Sequence, residues 1–170
     1  MARAKPLPEE LAARSFTIGE GRLSGISPWR AKAKDIHVPS RGIRVPVGPR
    51  QSLLERVRPY TELGTPDTVS YYSAAAVHAF KLPGSLAEGR STIRPGLLHL
   101  TRAGSAAPRR KGVVGHRAML EPADIVILQG VPVTSISRTL LDLAGTGALT
   151  LEDLVVIADD LVCEHVRYLH

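Results

Sequence analysis

The chain has 170 residues, of which 44% are hydrophobic and 4% aromatic, so the expected core rests on aliphatic side chains. Its single cysteine, Cys163, excludes an internal disulfide and a cysteine-based metal site. No segment approaches the roughly 20 apolar residues of a membrane-spanning helix, and the first residues lack the apolar region of a secretion signal. We therefore expect a cytoplasmic protein without a membrane partner.

The formal net charge of +6 is distributed unevenly along the chain. Residues 1–58 carry a net charge of +7, residues 59–117 of +5 and residues 118–170 of −6. This distribution favours a polyanionic partner for the basic end, and a different partner or packing within the chain for the acidic end. A dipolar surface that keeps the protein soluble is the alternative interpretation.

The first 48 residues have the element order of a winged helix-turn-helix unit. Thr17 lies at the N-cap position of a helix, and Ser27 and Pro28 form a cap with proline at the first helical position. Trp29 shares a helix face with Ala33, and we expect it to pack inward. The predicted elements are short helices at 8–14, 18–24 and 29–34, followed by strands at 36–38 and 42–45 that would form a basic hairpin.

Residues 49–170 are predicted to form a mixed α/β domain, which makes the fold class α+β with a small winged-helix-like unit at residues 1–48. The break at Val47-Gly48-Pro49 marks the boundary, and residues 84–96 are expected to be irregular. The predicted elements of this domain are helices at 52–58, 71–80, 135–144 and 151–169, and strands at 97–101, 113–117, 124–128 and 131–133.

Local signals predict several boundaries in the second domain. Pro59 should end the first helix, because proline lacks the backbone N–H that a helix interior needs. Gln129 and Gly130 indicate a hairpin turn, and Thr134 is the predicted cap of the helix that follows. Thr150 and Asp153 have the spacing of a capping box at the start of the last helix.

Several segments of the chain also match those of a known family in order and spacing. These segments are Phe16-Thr17 through Gly25-Ile26-Ser27, Pro39-Ser40-Arg41-Gly42-Ile43-Arg44, Val69-Ser70-Tyr71-Tyr72-Ser73-Ala74-Ala75, Lys111-Gly112-Val113-Val114-Gly115-His116-Arg117, and Gly130-Val131-Pro132-Val133-Thr134-Ser135 running on through Ser137-Arg138-Thr139-Leu140-Leu141-Asp142-Leu143-Ala144. On these segments the chain resembles the AbiEi-type antitoxins of type IV toxin–antitoxin systems, and in particular their actinobacterial branch.

The resemblance implies an N-terminal winged-helix domain that binds the promoter of its own operon as double-stranded DNA and represses it. It also implies a C-terminal α/β domain that neutralises a cognate toxin of the nucleotidyltransferase type. Longer members of the branch often continue into a restriction-endonuclease-like domain. A non-catalytic front module of such a nuclease-like protein is therefore one alternative, and a protein-interaction module without DNA binding is another.

Cations in the first 48 residues are the candidate contacts to DNA phosphates. A basic helix that enters the major groove and a basic wing tip would supply affinity by releasing counterions. Ser27 could cap the helix and also reach a phosphate. A solvated basic face is the alternative. The candidate DNA-binding residues are Ser27, Arg30, Lys32, Lys34, Arg41 and Arg44.

A second basic cluster surrounds the β-hairpin that the strands predicted at 97–101 and 113–117 are expected to form. By analogy with the family, it would bind the toxin or extend the contact with DNA, and a flexible charged loop kept for solubility is the alternative. The candidate residues of this cluster are Arg109, Arg110, Lys111, His116 and Arg117.

No catalytic machinery is recognisable, so the chain is predicted not to be an enzyme. No Asp or Glu is followed two positions later by Lys, as restriction-type nucleases require, and phosphate-binding, serine-hydrolase and zinc-protease motifs are missing. Arg138 and Asp142 are four residues apart on a predicted helix and are expected to pair. The sequence therefore predicts no catalytic residue, no metal and no cofactor; the histidines without metal-ligand spacing are His78, His99, His165 and His170.

Overall fold

The computed structural model describes residues 5–48, 51–83, 97–104 and 106–167, with side chains through Cys163. Helices and a mixed sheet are both present, which confirms the α+β class. The irregular segment predicted at 84–96 and the end of the last predicted helix, including Leu169, lie outside the described residues. Among these residues, no helix combines the length and the hydropathy that crossing a membrane requires.

The amino-terminal part holds two short helices, one 3-10 turn and a three-stranded antiparallel sheet in the order β1-β3-β2. The Thr17 hydroxyl caps α2 by accepting a hydrogen bond from the Glu20 backbone N–H, and the Glu20 carboxylate accepts one from the Thr17 backbone N–H. This predicted cap is therefore confirmed. The elements are α1 (Glu9–Ala12), β1 (Phe16–Thr17), α2 (Ile18–Leu23), the 3-10 turn (Arg30–Lys32), β2 (Ile36–His37) and β3 (Ile43–Pro46).

The prediction of a helix at 29–34 is wrong, because only a single 3-10 turn forms there. The backbone of Ala33 is already extended, with ψ of 158°, and this ends the turn after Lys32. Trp29 is also not packed inward, since 88% of its surface is exposed. The small core beneath the turn is made instead by Leu11, Phe16, Ile26 and Ile36.

The second part is built on a five-stranded mixed sheet in the order β6-β5-β4-β8-β7. The pairs β4–β8 and β5–β6 are parallel, and the other pairs are antiparallel. The hairpin expected from the strands at 97–101 and 113–117 is therefore wrong, because two strands joined by a hairpin run antiparallel. The elements are α3 (Leu53–Thr61), β4 (Thr68–Val69), α4 (Tyr71–Val77), β5 (Leu98–Arg102), β6 (Val113–Arg117), a 3-10 turn (Pro122–Asp124), β7 (Ile125–Leu128), β8 (Val131–Thr134), α5 (Ile136–Ala144) and α6 (Leu151–Arg167).

Two of the predicted boundaries need correction. Helix α3 continues past Pro59 to Thr61, because near the helix end the proline removes only one hydrogen bond and the burial of Tyr60 offsets that loss. The cap of α5 is Ser135, which accepts from the Arg138 backbone, while Thr134 is the last residue of β8.

Two other local predictions are confirmed. Gln129 and Gly130 form the β7–β8 turn with φ of 51° and 80°, a region that glycine adopts without strain. Thr150 and Asp153 form the capping box of α6, in which each side chain binds the backbone of the other residue.

The two parts of the chain share a hydrophobic core. Ile43 of β3 is fully buried in the same cluster as Val57 and Tyr60 of α3 and the inner face of the five-stranded sheet. Nearby, the Ser15 hydroxyl donates to the Gln51 side-chain carbonyl at 2.6 Å. The boundary near residue 48 stays a prediction, but the amino-terminal sheet is held firmly against the α/β part.

Candidate nucleic-acid interface

Ser27 precedes the 3-10 turn that carries the first candidate cations. Its hydroxyl accepts a hydrogen bond from the Arg30 backbone N–H at 3.2 Å. The N-cap position of the turn is nevertheless Trp29, so the cap predicted at Ser27 is wrong. The turn is three residues long, which is less than the helix that a helix-turn-helix protein lays along a major groove. Its side chains can therefore reach a phosphate backbone more readily than a row of base edges.

Arg30 has a structural role that the sequence did not reveal. Its two terminal nitrogens bind both carboxylate oxygens of Asp35 at 2.8 and 2.7 Å, and its Nε donates to the Lys5 carbonyl. Only 10% of its side chain is exposed. Because its charge is balanced by Asp35 and little of its side chain is exposed, Arg30 is removed from the set of phosphate contacts.

Arg44 is also removed from that set, because it is 6% exposed. Its Nε donates to the Ala31 carbonyl at 2.6 Å and a terminal nitrogen donates to the Ile43 carbonyl at 2.8 Å. Burial lowers the pKa of the Arg44 guanidinium. The residue ties the 3-10 turn to β3 and does not face solvent.

Lys32, Lys34 and Arg41 are exposed, as the sequence prediction requires. Among the described residues, none accepts a hydrogen bond from their side chains or pairs with their charges. Lys32 and Lys34 lie at the end of the 3-10 turn, and Arg41 lies at the tip of the β2–β3 hairpin. These three cations remain available to an anionic partner.

The structure brings together one residue from each of the two basic clusters that the sequence placed in separate domains. A terminal nitrogen of Arg110 donates to the backbone carbonyl of Arg41 at 2.6 Å, across 69 positions of sequence. Arg109 and Lys111 are exposed on either side of Arg110. We group Arg110 with the exposed cations of both clusters and call this candidate set the basic surface; its members are Lys32, Lys34, Arg41, Arg109, Arg110 and Lys111.

The segment that carries Arg109 to Lys111 is held against the sheet. Pro108 is buried and lies against the backbone of Gly115 in β6, where any side chain would collide with it. Gly112 accepts a hydrogen bond from the Leu98 backbone at 2.9 Å. A loop anchored at both ends in this way presents its cations in a fixed place, which argues against a merely flexible charged loop.

His116 is not part of the basic surface. The His116 ring stacks on Tyr71 at a centroid distance of 3.6 Å, and its Nε2 lies 3.0 Å from Nδ1 of His99. Burial lowers the pKa of His116, and burial together with the neighbouring imidazole lowers the pKa of His99 to about 4. Both rings are thus neutral near pH 7, so His116 is corrected from a cation to a member of an aromatic cluster; Arg117 is exposed at the end of β6.

No local signal in the sequence predicts this aromatic cluster. Tyr71 has a φ of 47°, a backbone conformation that is energetically unfavourable for a tyrosine. In this conformation its ring stacks on His116. Tyr72 approaches His99 edge-on at 5.3 Å. The cluster depends on contacts between α4, β5 and β6, which no spacing in the sequence predicts.

The pairing expected for Arg138 and Asp142 is confirmed at 2.9 Å. Arg138 also binds the Asp124 carboxylate at 2.8 Å and the Met119 carbonyl at 2.9 Å, so it connects α5 to the turn before β7. Burial raises the pKa of Asp142, and the charge of Arg138 opposes this. Within the part of the chain that the structure describes, no three His, Cys, Asp or Glu side chains are grouped to hold a metal ion.

Comparison of the chain with models of known protein families gives no match, and comparison with curated proteins gives no significant match. The likeness to AbiEi-type antitoxins therefore depends on the sequence segments described above.

Proposed function

We propose that the protein binds double-stranded DNA through the basic surface, without catalysing a reaction, and acts as an antitoxin-like regulator of its own promoter. The observation that carries the DNA part is the contact between Arg110 and the Arg41 carbonyl, since it brings cations from both parts of the chain to one place. The regulatory role is what the resemblance to AbiEi-type antitoxins adds.

Electrostatics support a polyanionic partner. Asp35 is the acidic residue nearest in sequence to the turn lysines, and its carboxylate is already bound by Arg30. The acidic residues of the last third lie on other elements, largely α5 and α6. A protein that neutralises phosphates with such side chains gains affinity from counterion release, at about 0.9 counterions per phosphate contact.

The same geometry indicates that phosphate contacts outweigh the reading of bases. Hydrogen bonds to phosphates position a protein on a duplex and carry no sequence information by themselves. The short 3-10 turn offers little surface to base edges. We therefore expect a strongly salt-dependent affinity with modest preference for one sequence.

The acidic end offers a separate surface for a protein partner, which the resemblance would identify as the cognate toxin. Leu151, Val155 and Val162 follow one face of α6 and are 73%, 51% and 62% exposed, while Ile157 on another face is buried. An exposed apolar row beside carboxylates is typical of a protein-binding surface. This observation also favours the second candidate function, a protein-interaction module that never contacts DNA.

The proposal is tested by fluorescence anisotropy with a labelled duplex taken from upstream of the gene. Arg41→Ala should weaken binding several-fold, because it removes an exposed cation from the centre of the basic surface. Lys81→Ala is the matched control, since it removes an exposed cation that pairs with Asp160 far from this surface in sequence. Equal affinities of Arg41→Ala and the unchanged protein would favour the protein-interaction module.

A further inference from the structure

A cleft with a volume of about 430 Å³ lies where the β2–β3 hairpin meets the α/β part. Its size falls within the range of roughly 300–1,000 Å³ that small-molecule sites occupy, and junctions between structural units are preferred places for such sites. Both parts of the chain contribute to it. The lining residues that matter below are His37, Val45, Gln51, Arg56, Tyr60 and Leu98.

Hydrogen-bond donors converge on this cleft. Arg56 and Tyr60 are four residues apart on α3 and so share a face of the helix. Arg56 is exposed and Tyr60 is 5% exposed, and neither side chain is hydrogen-bonded within the described part of the chain. Burial raises the pKa of Tyr60, and the positive charges of Arg110 and Arg56 oppose this.

Two further polar side chains of the cleft, Gln51 and His37, can donate hydrogen bonds. Gln51 accepts from the Ser15 hydroxyl through its carbonyl oxygen, so its amide NH2 is left to donate. His37 is exposed and contributes an imidazole. None of the described residues that line the cleft is acidic, whereas Val45 and Leu98, with neighbouring prolines, form an apolar wall.

From these features we infer that the cleft is a binding site for a small organic anion with an apolar body. The anionic group would be bound by the Arg56 guanidinium and the Tyr60 hydroxyl, because charge-assisted hydrogen bonds are the strongest available there. The apolar body would lie against Val45 and Leu98. The cleft borders the basic surface, since Gly112, which follows Lys111, is one of its lining residues. The inference does not depend on the proposed function.

Isothermal titration calorimetry on the full chain tests the site with anilinonaphthalene sulfonate, which joins an anionic group to an aromatic body. One molecule should bind per chain, and the uncharged analogue phenylnaphthylamine should bind at least tenfold more weakly. Inorganic phosphate, which lacks an apolar body, should show no measurable heat. Benzoate and phenyl phosphate then distinguish a preference for a carboxylate from a preference for a phosphate group.

Arg56→Gln should weaken binding of the sulfonate about tenfold or more, since it removes the charge but keeps two donors. Tyr60→Phe removes only the hydroxyl and should weaken binding several-fold. Arg109→Gln removes an exposed cation outside the cleft and should leave the affinity unchanged. Binding of several molecules per chain, or equal affinity of Arg56→Gln and Arg109→Gln, would overturn the inference; circular dichroism of each variant verifies that the fold is retained.

Discussion

Acidification should destabilise the fold through His99. This imidazole is 6% exposed, lies between Tyr72 and His116, and shares one hydrogen bond with His116. Its Nε2 is buried and has no partner within the described residues. A proton on His99 would therefore bring an uncompensated charge into the protein interior, and this is the physical reason that the pKa of His99 is lowered to about 4.

The magnitude follows from proton linkage. The imidazole takes up a proton near pH 6.5 in the unfolded chain and near pH 4 in the folded protein. The contribution of His99 to the free energy of unfolding is fully present above pH 6.5, where the imidazole is neutral in both states. Below that value this contribution falls with pH, because only the unfolded state gains a proton. At about 1.4 kcal/mol per pH unit, the loss between these two pH values is roughly 3 kcal/mol. His116, whose pKa is also lowered, acts in the same direction.

Urea unfolding measured across this pH range checks the prediction. His99→Asn retains a hydrogen-bonding group near the position of Nδ1 but takes up no proton, so its stability should fall less steeply with acidification than that of the unchanged protein. His37→Asn, which alters an exposed imidazole, should keep the full dependence on pH. If the unchanged protein and His99→Asn lost the same free energy of unfolding between pH 6.5 and about 4, the reasoning would be refuted.

Three further predictions concern stability and are measured by urea or thermal unfolding. Gly115→Ala places a Cβ against the Pro108 carbonyl oxygen, so the loop must move and we expect a loss of about 3 kcal/mol; wild-type stability would show that the loop is not held there. Gly19→Ala meets no atom closer than 3.6 Å and should stabilise α2 by about 0.5–1 kcal/mol, and a loss would contradict this packing. Arg102→Ala leaves the carboxylate of Asp67, whose side chain is 4% exposed, without its ion-pair partner. The free energy of unfolding should fall by about 3–5 kcal/mol, and no change would mean that this pair does not form.

Local signals in the sequence predicted local structure well. The cap at Thr17, the turn at Gly130 and the capping box at Thr150 were all found, because each depends on residues within three positions of one another. The helix expected at 29–34 was not found, because its pattern of apolar residues was short and tertiary contacts of Arg30 and Arg44 hold the chain in a tighter turn.

The cations show why the candidate site was predicted only in part. Counting charges identified the basic segments, but it could not tell Arg41, which is exposed, from Arg44, which is buried three residues later. Which arginine is neutralised depends on carbonyl and carboxylate groups brought near by folding. The contact between Arg110 and Arg41 likewise spans 69 positions, so no spacing in the sequence could have predicted it.

The central claim is that the basic surface binds the phosphates of double-stranded DNA, and its most direct test is the dependence of affinity on salt. For the unchanged protein, the logarithm of the association constant should fall linearly with the logarithm of salt concentration, with a slope of about −0.9 for each phosphate contacted. Replacing Lys32, Lys34 and Arg41 together by alanine should reduce the size of that slope by nearly 3, because three phosphate contacts are lost. An unchanged slope in this triple variant, or no binding at low salt by the unchanged protein, would contradict the account.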